Sequence, residues 1–300
     1  MRKFICKILI FAAILSVLDI AVGVSCKYFV GHAKGGETRL NNYICNEMTD
    51  DIIIMGSSRG VHHYDPAILT DSLGLSCFNC SMDGNGIVLM YGRWKMLSKR
   101  YVPKVLVYDI LPAFDIYVSD NHRYLASLRY YYDRSGIDSL FWSVDSIERY
   151  KMLSNFYRYN SSFIQLVSDN LKTLPIPSGG YKPVDKKMVF SIAADEFDKR
   201  DQQCDPLKIR CLHRLVDECK SKGTRIVFMV SPMYGVQDDK FLEPVKDLCK
   251  EMDVPLISHY SDTAYAEHPE YFSDPTHLNR VGTTKYTKDI VAELRKFVKQ

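Results

Sequence analysis

The chain has 300 residues, 46% of them apolar and 25% charged, with a formal charge of +3. This composition is ordinary for a globular protein and excludes disorder as the reading, and the length suits one large domain or two small ones plus a targeting segment. The charge is too small to argue for nucleic acid, and the sequence holds no basic stripe, phosphate-cradling glycine loop or repeat period.

Arg2, Lys3 and Lys7 precede an apolar run from Ile8 to Val24, interrupted by Ser16, Asp19 and Gly23. A spanning helix needs about 20 residues. Counting from Phe4 reaches that length if Lys7 snorkels toward the interface. Residues 1–30 are therefore expected to be a retained signal anchor, with a cleaved signal peptide as the main competitor. Lipidation of Cys26 is a third option, weakened by Gly23 three residues before it. The positive flank places the N-terminus in the cytoplasm. The expected location is thus the cytoplasmic membrane, single-pass, with the domain on the periplasmic side. Residues 31–49 read as a polar linker with no clear periodicity.

An α/β rhythm begins at residue 50. Ile52–Met55 is a continuous apolar run of the kind found in a covered parallel sheet. Asp65-Pro66 opens a short helix, with Asp at the cap and Pro in the first turn. Leu75–Asn79 reads as a second strand, Gly86–Arg100 as a helix and Val105–Tyr108 as a third strand. Residues from about 113 to 200 are rich in Tyr, Ser, Asn and Asp, and read as a helical insertion carried by the sheet. The rhythm resumes with a helix at Pro206–Lys222, a strand at Arg225–Val230, a helix near Lys240–Met252, a strand at Pro255–Ile257 and a last helix at Thr283–Lys299. The expected fold class is α/β: three layers, α/β/α, around a mostly parallel five-stranded sheet, occupying residues 50–300. Sites in such sheets lie beyond the carboxyl ends of the strands.

The 20 Tyr and 14 Phe include many between residues 114 and 163. They could form a surface for sugars or partners, although ordinary aromatic packing explains most of them. Nine cysteines leave at least one unpaired in an exported chain. Cys77 and Cys80 have redox or metal spacing, but they fall on an expected buried strand, where cysteine acts as a small hydrophobe.

Two short motifs carry the chemistry. Gly56-Ser57-Ser58-Arg59-Gly60 follows the first strand, and Asp274-Pro275-Thr276-His277 precedes the last helix. A hydroxyl is a poor nucleophile until a base takes its proton. His277 is the candidate base, and Asp274 would fix its tautomer and stabilise the imidazolium. The bland alternative is that Ser57 and Ser58 merely cap a helix. His62 and His63 follow the serine turn and read as a helix-flanking surface pair; a metal role would need a third ligand that the sequence does not place. Arg59 suits either an acidic substrate group or a structural ion pair. Asn279 is expected to pin the turn after His277. Asp120, Asn121, His122 and Arg123 form a polar cluster in the insertion.

The two motifs, with Asn79-Cys80-Ser81-Met82-Asp83-Gly84 between them, resemble those of the SGNH/GDSL family of serine esterases and acyltransferases. The resemblance covers about residues 50–112 and 205–299. It implies an acyl-Ser58 intermediate, with Ser58, Asp274 and His277 catalytic and the Ser58 and Gly84 amides holding the oxyanion. Asn79 would belong to the same block. The family's Gly-x-Asn-Asp block after the third strand is absent. Tyr108-Asp109-Ile110-Leu111 stands there instead; Asp109 is, with Gly84, Asn79 and Arg59, a candidate contact to the oxyanion or substrate, although an ionised Asp cannot donate to an oxyanion. In this the chain looks like the divergent, membrane-anchored branch that includes D-alanylation and alginate O-acetylation proteins. That likeness implies an extracytoplasmic hydrolase or O-acyltransferase acting on acetyl groups of a polysaccharide, beside a membrane-bound O-acyltransferase and without a metal or other cofactor. The rival expectation is a non-catalytic anchored scaffold of the same fold that binds glycan or recruits a membrane enzyme.

Overall fold

A computed structural model describes residues 1–189, 203–235 and 238–298. Residues 190–200 of the expected insertion, and Lys299 of the expected last helix, lie outside the described residues. The chain separates into two compact units, Met1–Glu47 with Leu125–Ile176, and Met48–Tyr124 with Pro177–Gln300.

The second unit is built on β1 (Ile52–Gly56), β2 (Cys77–Asn79), β3 (Val105–Asp109), β4 (Arg225–Val230) and β5 (Leu256–Ser258). They form one sheet in the order β2-β1-β3-β4-β5, and every pairing is parallel. Every residue of β1 and β3 is buried. With helices on both faces, neither strand needs a polar side, hence the unbroken apolar runs in the sequence. One face presents Ile52, Ile54, Val105, Val107, Val227 and Met229 to Leu69, Tyr286, Ile290 and Leu294 of the covering helices. Each such aliphatic side chain, fully buried, contributes roughly 1.5–3 kcal/mol.

Local signals place the helix ends. Pro66–Leu73 starts at Asp65, whose carboxylate accepts from the Ala67 amide, and ends at Gly74 with φ 71°. Pro206–Lys222 starts at Asp205, which accepts from the Leu207 amide, and ends at Gly223 with φ 82°. Both ends need the left-handed region that glycine enters freely.

Three features differ from the sequence expectation. The last helix starts earlier and is two helices, Arg280–Asp289 and Val291–Val298. Ahead of it lies a two-stranded antiparallel pair, β6 (Phe272–Asp274) and β7 (His277–Leu278), too short to show a two-residue period. The stretch expected as linker contains a helix, Gly36–Asn46. Its buried face mixes Thr38, Asn41 and Asn42 with Ile44 and Cys45, which hid it: Asn42 Nδ2 donates to the Val30 carbonyl (2.6 Å), and Asn42 Oδ1 accepts from Tyr131 Oη (2.7 Å).

The first unit also contains the apolar helix Arg2–Gly31, long and apolar enough to cross a membrane. Cys26 lies inside that helix and is fully buried. Residues 125–176 form short helices, among them Asn155–Tyr159 and Phe163–Leu171.

Gly56 ends β1 where β3 passes closest: a Cβ there would lie 2.7 Å from the Asp109 carbonyl oxygen. Gly56→Ala is expected to lower stability by about 1–3 kcal/mol, the usual cost of overpacking, as measured by denaturant unfolding of the purified protein.

Candidate active site

The strand order changes direction between β1 and β3, and the crevice at such a switch point opens beyond the carboxyl ends of the strands. Gly56 pairs with Asp109 at that end. Ser58 begins the short helix Ser58–His63 directly after β1. His277 and Asp274 come from the β6–β7 pair, 219 and 216 residues further along the chain.

The three side chains meet. His277 Nε2 lies 2.7 Å from Ser58 Oγ, and His277 Nδ1 lies 3.0 Å from both oxygens of Asp274. A carboxylate only accepts, so the Nδ1 proton belongs to the Asp274 contact and the Nε2 lone pair faces the serine hydroxyl. Asp274 Oδ1 also accepts from the Thr276 and His277 amides and from Thr276 Oγ1. Burial alone would raise the Asp274 carboxyl, but His277 and the Thr276 donors outweigh it and hold the group well below the carboxylate range. Ser57, the helix N-cap, makes no side-chain capping bond.

His63 joins the two halves of this arrangement. Its Nε2 accepts from the Leu278 amide (2.9 Å), and its Nδ1 lies 2.8 Å from Ser231 Oγ, just past β4. Since Nε2 accepts, Nδ1 carries the proton. Burial, with Arg59, His277 and His62 nearby, holds His63 well below the ordinary histidine value and therefore neutral. The expected surface pair is thus corrected for His63, which is fully buried.

His62 points the other way. Its Nδ1 donates to the Lys182 carbonyl (2.7 Å), and its Nε2 lies 2.9 Å from Asp83, which also pairs with Lys182 Nζ at 3.2 Å. Asp83 precedes Gly84, whose φ of 65° marks a turn closed by the Asn85 amide on the Met82 carbonyl. This ion pair therefore ties the Gly84 turn to the helix that starts with Ser58. Arg123, from the polar cluster, reaches the same turn: a Cβ on Gly84 would lie 2.7 Å from its guanidinium.

Asn79 and Asp109 are placed differently from a substrate-facing role. Asn79 Nδ2 donates to the Gly60 carbonyl (2.7 Å) and its Oδ1 accepts from the Ser81 amide (3.1 Å), so its amide braces the serine helix. Asp109 is fully buried, accepts from Tyr64 Oη at 2.5 Å and faces Arg59 at 3.6 Å. Asn279 does pin the following turn, its Oδ1 accepting from the Val281 and Gly282 amides.

A cavity of about 160 Å³ opens beside Ser58 and His277. Its wall is largely apolar: Leu111 and Phe114 after β3, Met233 after β4, Phe241, and Tyr260 after β5. Arg59 also lines it. Although 1% exposed, Arg59 has no hydrogen-bond partner for Nε or either terminal nitrogen among the described residues. Sequence reasoning missed the wall residues and the roles of His62, His63 and Thr276. Only Thr276, inside the Asp-Pro-Thr-His motif, carried a signal.

Cys77 and Cys80 are buried, with Cys80 Sγ 3.6 Å from Met48 Sδ, and burial pushes the Cys77 thiol well above its ordinary value.

No family model matches this chain, and none of the curated proteins does. Several solved structures share part of its chain path, three of which follow. A protein from Bacteroides fragilis described as an acylhydrolase aligns over 87% of this chain and 96% of its own, at 8% identity and a TM-score of 0.41. One from Parabacteroides merdae described as a GDSL-like lipase aligns over 84% and 99%, at 14% identity and a TM-score of 0.38. A family two carbohydrate esterase from Clostridium thermocellum, in complex with cellohexaose, aligns over 82% and 63%, at 10% identity and a TM-score of 0.38. The chemistry here rests on the side chains described above.

Burial would lower His62, but the hydrogen bond and charge of Asp83 and the Lys182 carbonyl raise it above the ordinary value of 6.5. Its stabilising contribution is therefore complete below that value and fades as pH rises through the raised one. Asp83, lowered against the pull of burial by His62 and Lys182, behaves in the opposite sense, losing its contribution as pH falls through its lowered value. In an NMR pH titration, His62 is expected to titrate above a free histidine and to fall back in Asp83→Asn, while His63 titrates well below a free histidine.

Proposed function

We propose that this protein carries out serine-dependent acyl-ester chemistry, with Ser58 as nucleophile. The observation that carries the reading is the continuous contact from Ser58 Oγ through His277 to Asp274. In the proposed cycle His277 Nε2 takes the Ser58 proton as Oγ attacks the ester carbonyl carbon. The tetrahedral intermediate collapses as the alcohol oxygen leaves with the proton from His277, giving acyl-Ser58. A second hydroxyl, from water or from a sugar, is then deprotonated by His277 and attacks the acyl carbon, and the proton returns to Ser58.

Oxyanion stabilisation is assigned to the Ser58 and Gly84 amides, with Arg59 supplying positive charge where the resembled family has an Asn. A donor aimed at a developing oxyanion is worth a few kcal/mol. The Arg59 guanidinium in the cavity beside Ser58, which faces Asp109 at 3.6 Å but makes no hydrogen bond among the described residues, supports this part. The apolar wall suits the acyl chain, and about 160 Å³ suits a short one such as acetyl.

The reading extends to location and acceptor. The helix Arg2–Gly31 would anchor the protein in the cytoplasmic membrane with the site on the periplasmic side. There the substrate would be an O-acylated polysaccharide or its acceptor hydroxyl, with a membrane-bound O-acyltransferase as the partner on the donor side. The scaffold alternative leaves the Ser58–His277 contact without a role.

Two measurements test this. The full-length protein in detergent should hydrolyse p-nitrophenyl acetate and label with a fluorophosphonate, and Ser58→Ala should abolish both. Asp274→Asn should keep the fold and lower kcat by roughly 10⁴-fold, the scale of loss in a known triad when the imidazole tautomer is no longer held. Arg59→Met should lower kcat about 10²-fold or more with little change in KM. Labelling and turnover that persist in Ser58→Ala would sink the assignment.

A further inference from the structure

Asp19 interrupts the apolar run five residues before Val24, where an unpartnered carboxylate in hydrocarbon is costly. Both of its oxygens are engaged. Oδ1 accepts from Ser154 Oγ and the Phe156 amide, each at 2.8 Å, and Oδ2 accepts from the Asn155 amide and Nδ2, each at 3.0 Å. The donors form the first turn of helix Asn155–Tyr159, so that turn lies level with Asp19 along the apolar helix. Gly23 permits the approach: a Cβ there would collide with the Asn155 carboxamide.

From that level the contact climbs. Val22 and Phe163 border one cavity. Leu166 packs with Cys26 and Val30, and Asn170 Nδ2 donates to the Phe29 carbonyl at 2.9 Å. The Lys34 amide donates to the Asp169 carbonyl at 2.8 Å. Helix Phe163–Leu171 thus runs beside the apolar helix from the level of Val22 to that of Lys34. Near the level of Asp19 and Val22 the segment carries exposed apolar side chains: Leu153 is 78% exposed, Phe156 45%, Phe163 47% and Ile164 85%.

We infer that this segment is itself inserted into the leaflet at the carboxyl end of the anchor, with lipid acyl chains covering Leu153, Phe156, Phe163 and Ile164. The inference rests on the reading of Arg2–Gly31 as a membrane span. If hydrocarbon ends near Val24, Asp19 lies about 7.5 Å beneath the boundary at 1.5 Å per residue. That depth falls in the roughly 5–10 Å range of interfacial helices. The hydrogen bonds of Asp19 carry the Ser154–Phe156 turn to the same depth, and lipid is the partner that four exposed apolar side chains at that level fit. Leu171, at the Lys34 end, lies nearer the headgroups.

The test uses the full-length protein in bilayers containing brominated lipid, with tryptophan introduced one position at a time and the parent signal of Trp94 and Trp142 subtracted. Phe11→Trp reports on the anchor, Ile164→Trp on the deep end of the segment, Leu171→Trp on its shallow end, and Val102→Trp on an exposed position of the α/β unit. The expected result is strong quenching of Phe11→Trp and several-fold more quenching of Ile164→Trp than of Val102→Trp, with Leu171→Trp between them. Ile164 is exposed, so its replacement should not disturb folding, and Leu153→Trp repeats the measurement from the neighbouring turn. Quenching of Phe11→Trp with Ile164→Trp and Leu153→Trp at the Val102→Trp level would overturn the inference and leave the anchor standing. If Phe11→Trp is also unquenched, the membrane reading fails and the inference fails with it.

Discussion

The hydrogen bond from the Leu278 amide to His63 Nε2 is the contact on which the site depends. It joins elements 215 residues apart in sequence. One end lies on the helix that begins with Ser58, and the other lies one residue past His277. Because the imidazole is buried and neutral, one nitrogen must accept and the other donate, and Ser231 takes the donated proton. The imidazole therefore has a fixed tautomer and a fixed direction. That brings Ser58 and His277 to 2.7 Å without a covalent link between the early and late motifs.

A second constraint is the buried charge beneath the serine. Arg59 and Asp109 are 1% and 0% exposed, yet their closest approach is 3.6 Å and Arg59 makes no hydrogen bond among the described residues. A buried cation so loosely held is costly by itself. A ligand oxygen in the adjoining cavity would relieve that cost, and in the proposed cycle that oxygen is the developing oxyanion. Tyr64 Oη satisfies the far oxygen of Asp109 and leaves the other turned to Arg59. Asp109, at the end of β3, is thus the counter-ion of the residue proposed to supply positive charge beside Ser58.

In the first unit, one polar residue again organises apolar surroundings. Asp19 is awkward in a spanning helix until its four donors are counted, and those donors set the register of residues 154–170 along it. Helix Gly36–Asn46 follows a similar rule, with Asn42 hydrogen-bonded to both Val30 and Tyr131. Polar anchoring of this kind leaves little trace in apolar periodicity.

Some of this was legible in the sequence because its cause is local. Continuous apolar runs mark β1, β3 and β4 because strands covered on both faces need no polar side. Asp-Pro and Gly mark the ends of Pro66–Leu73 and Pro206–Lys222 because caps use the chemistry of one or two residues. The parallel five-stranded sheet and the α/β class follow from those signals, and the Gly-Ser-Ser and Asp-x-x-His motifs singled out the three side chains that the fold brings into contact. What only the tertiary structure decided is everything with a partner far along the chain. His63 looked like a surface residue until Leu278 and Ser231 closed on it, and Asn79 like a substrate contact until the Gly60 carbonyl claimed its amide. Asp109 looked like a site group until Arg59 and Tyr64 were seen against it. A side chain's role is set by the group opposite it, and in a sheet ordered β2-β1-β3-β4-β5 that group lies dozens to hundreds of residues away, where no local pattern records it.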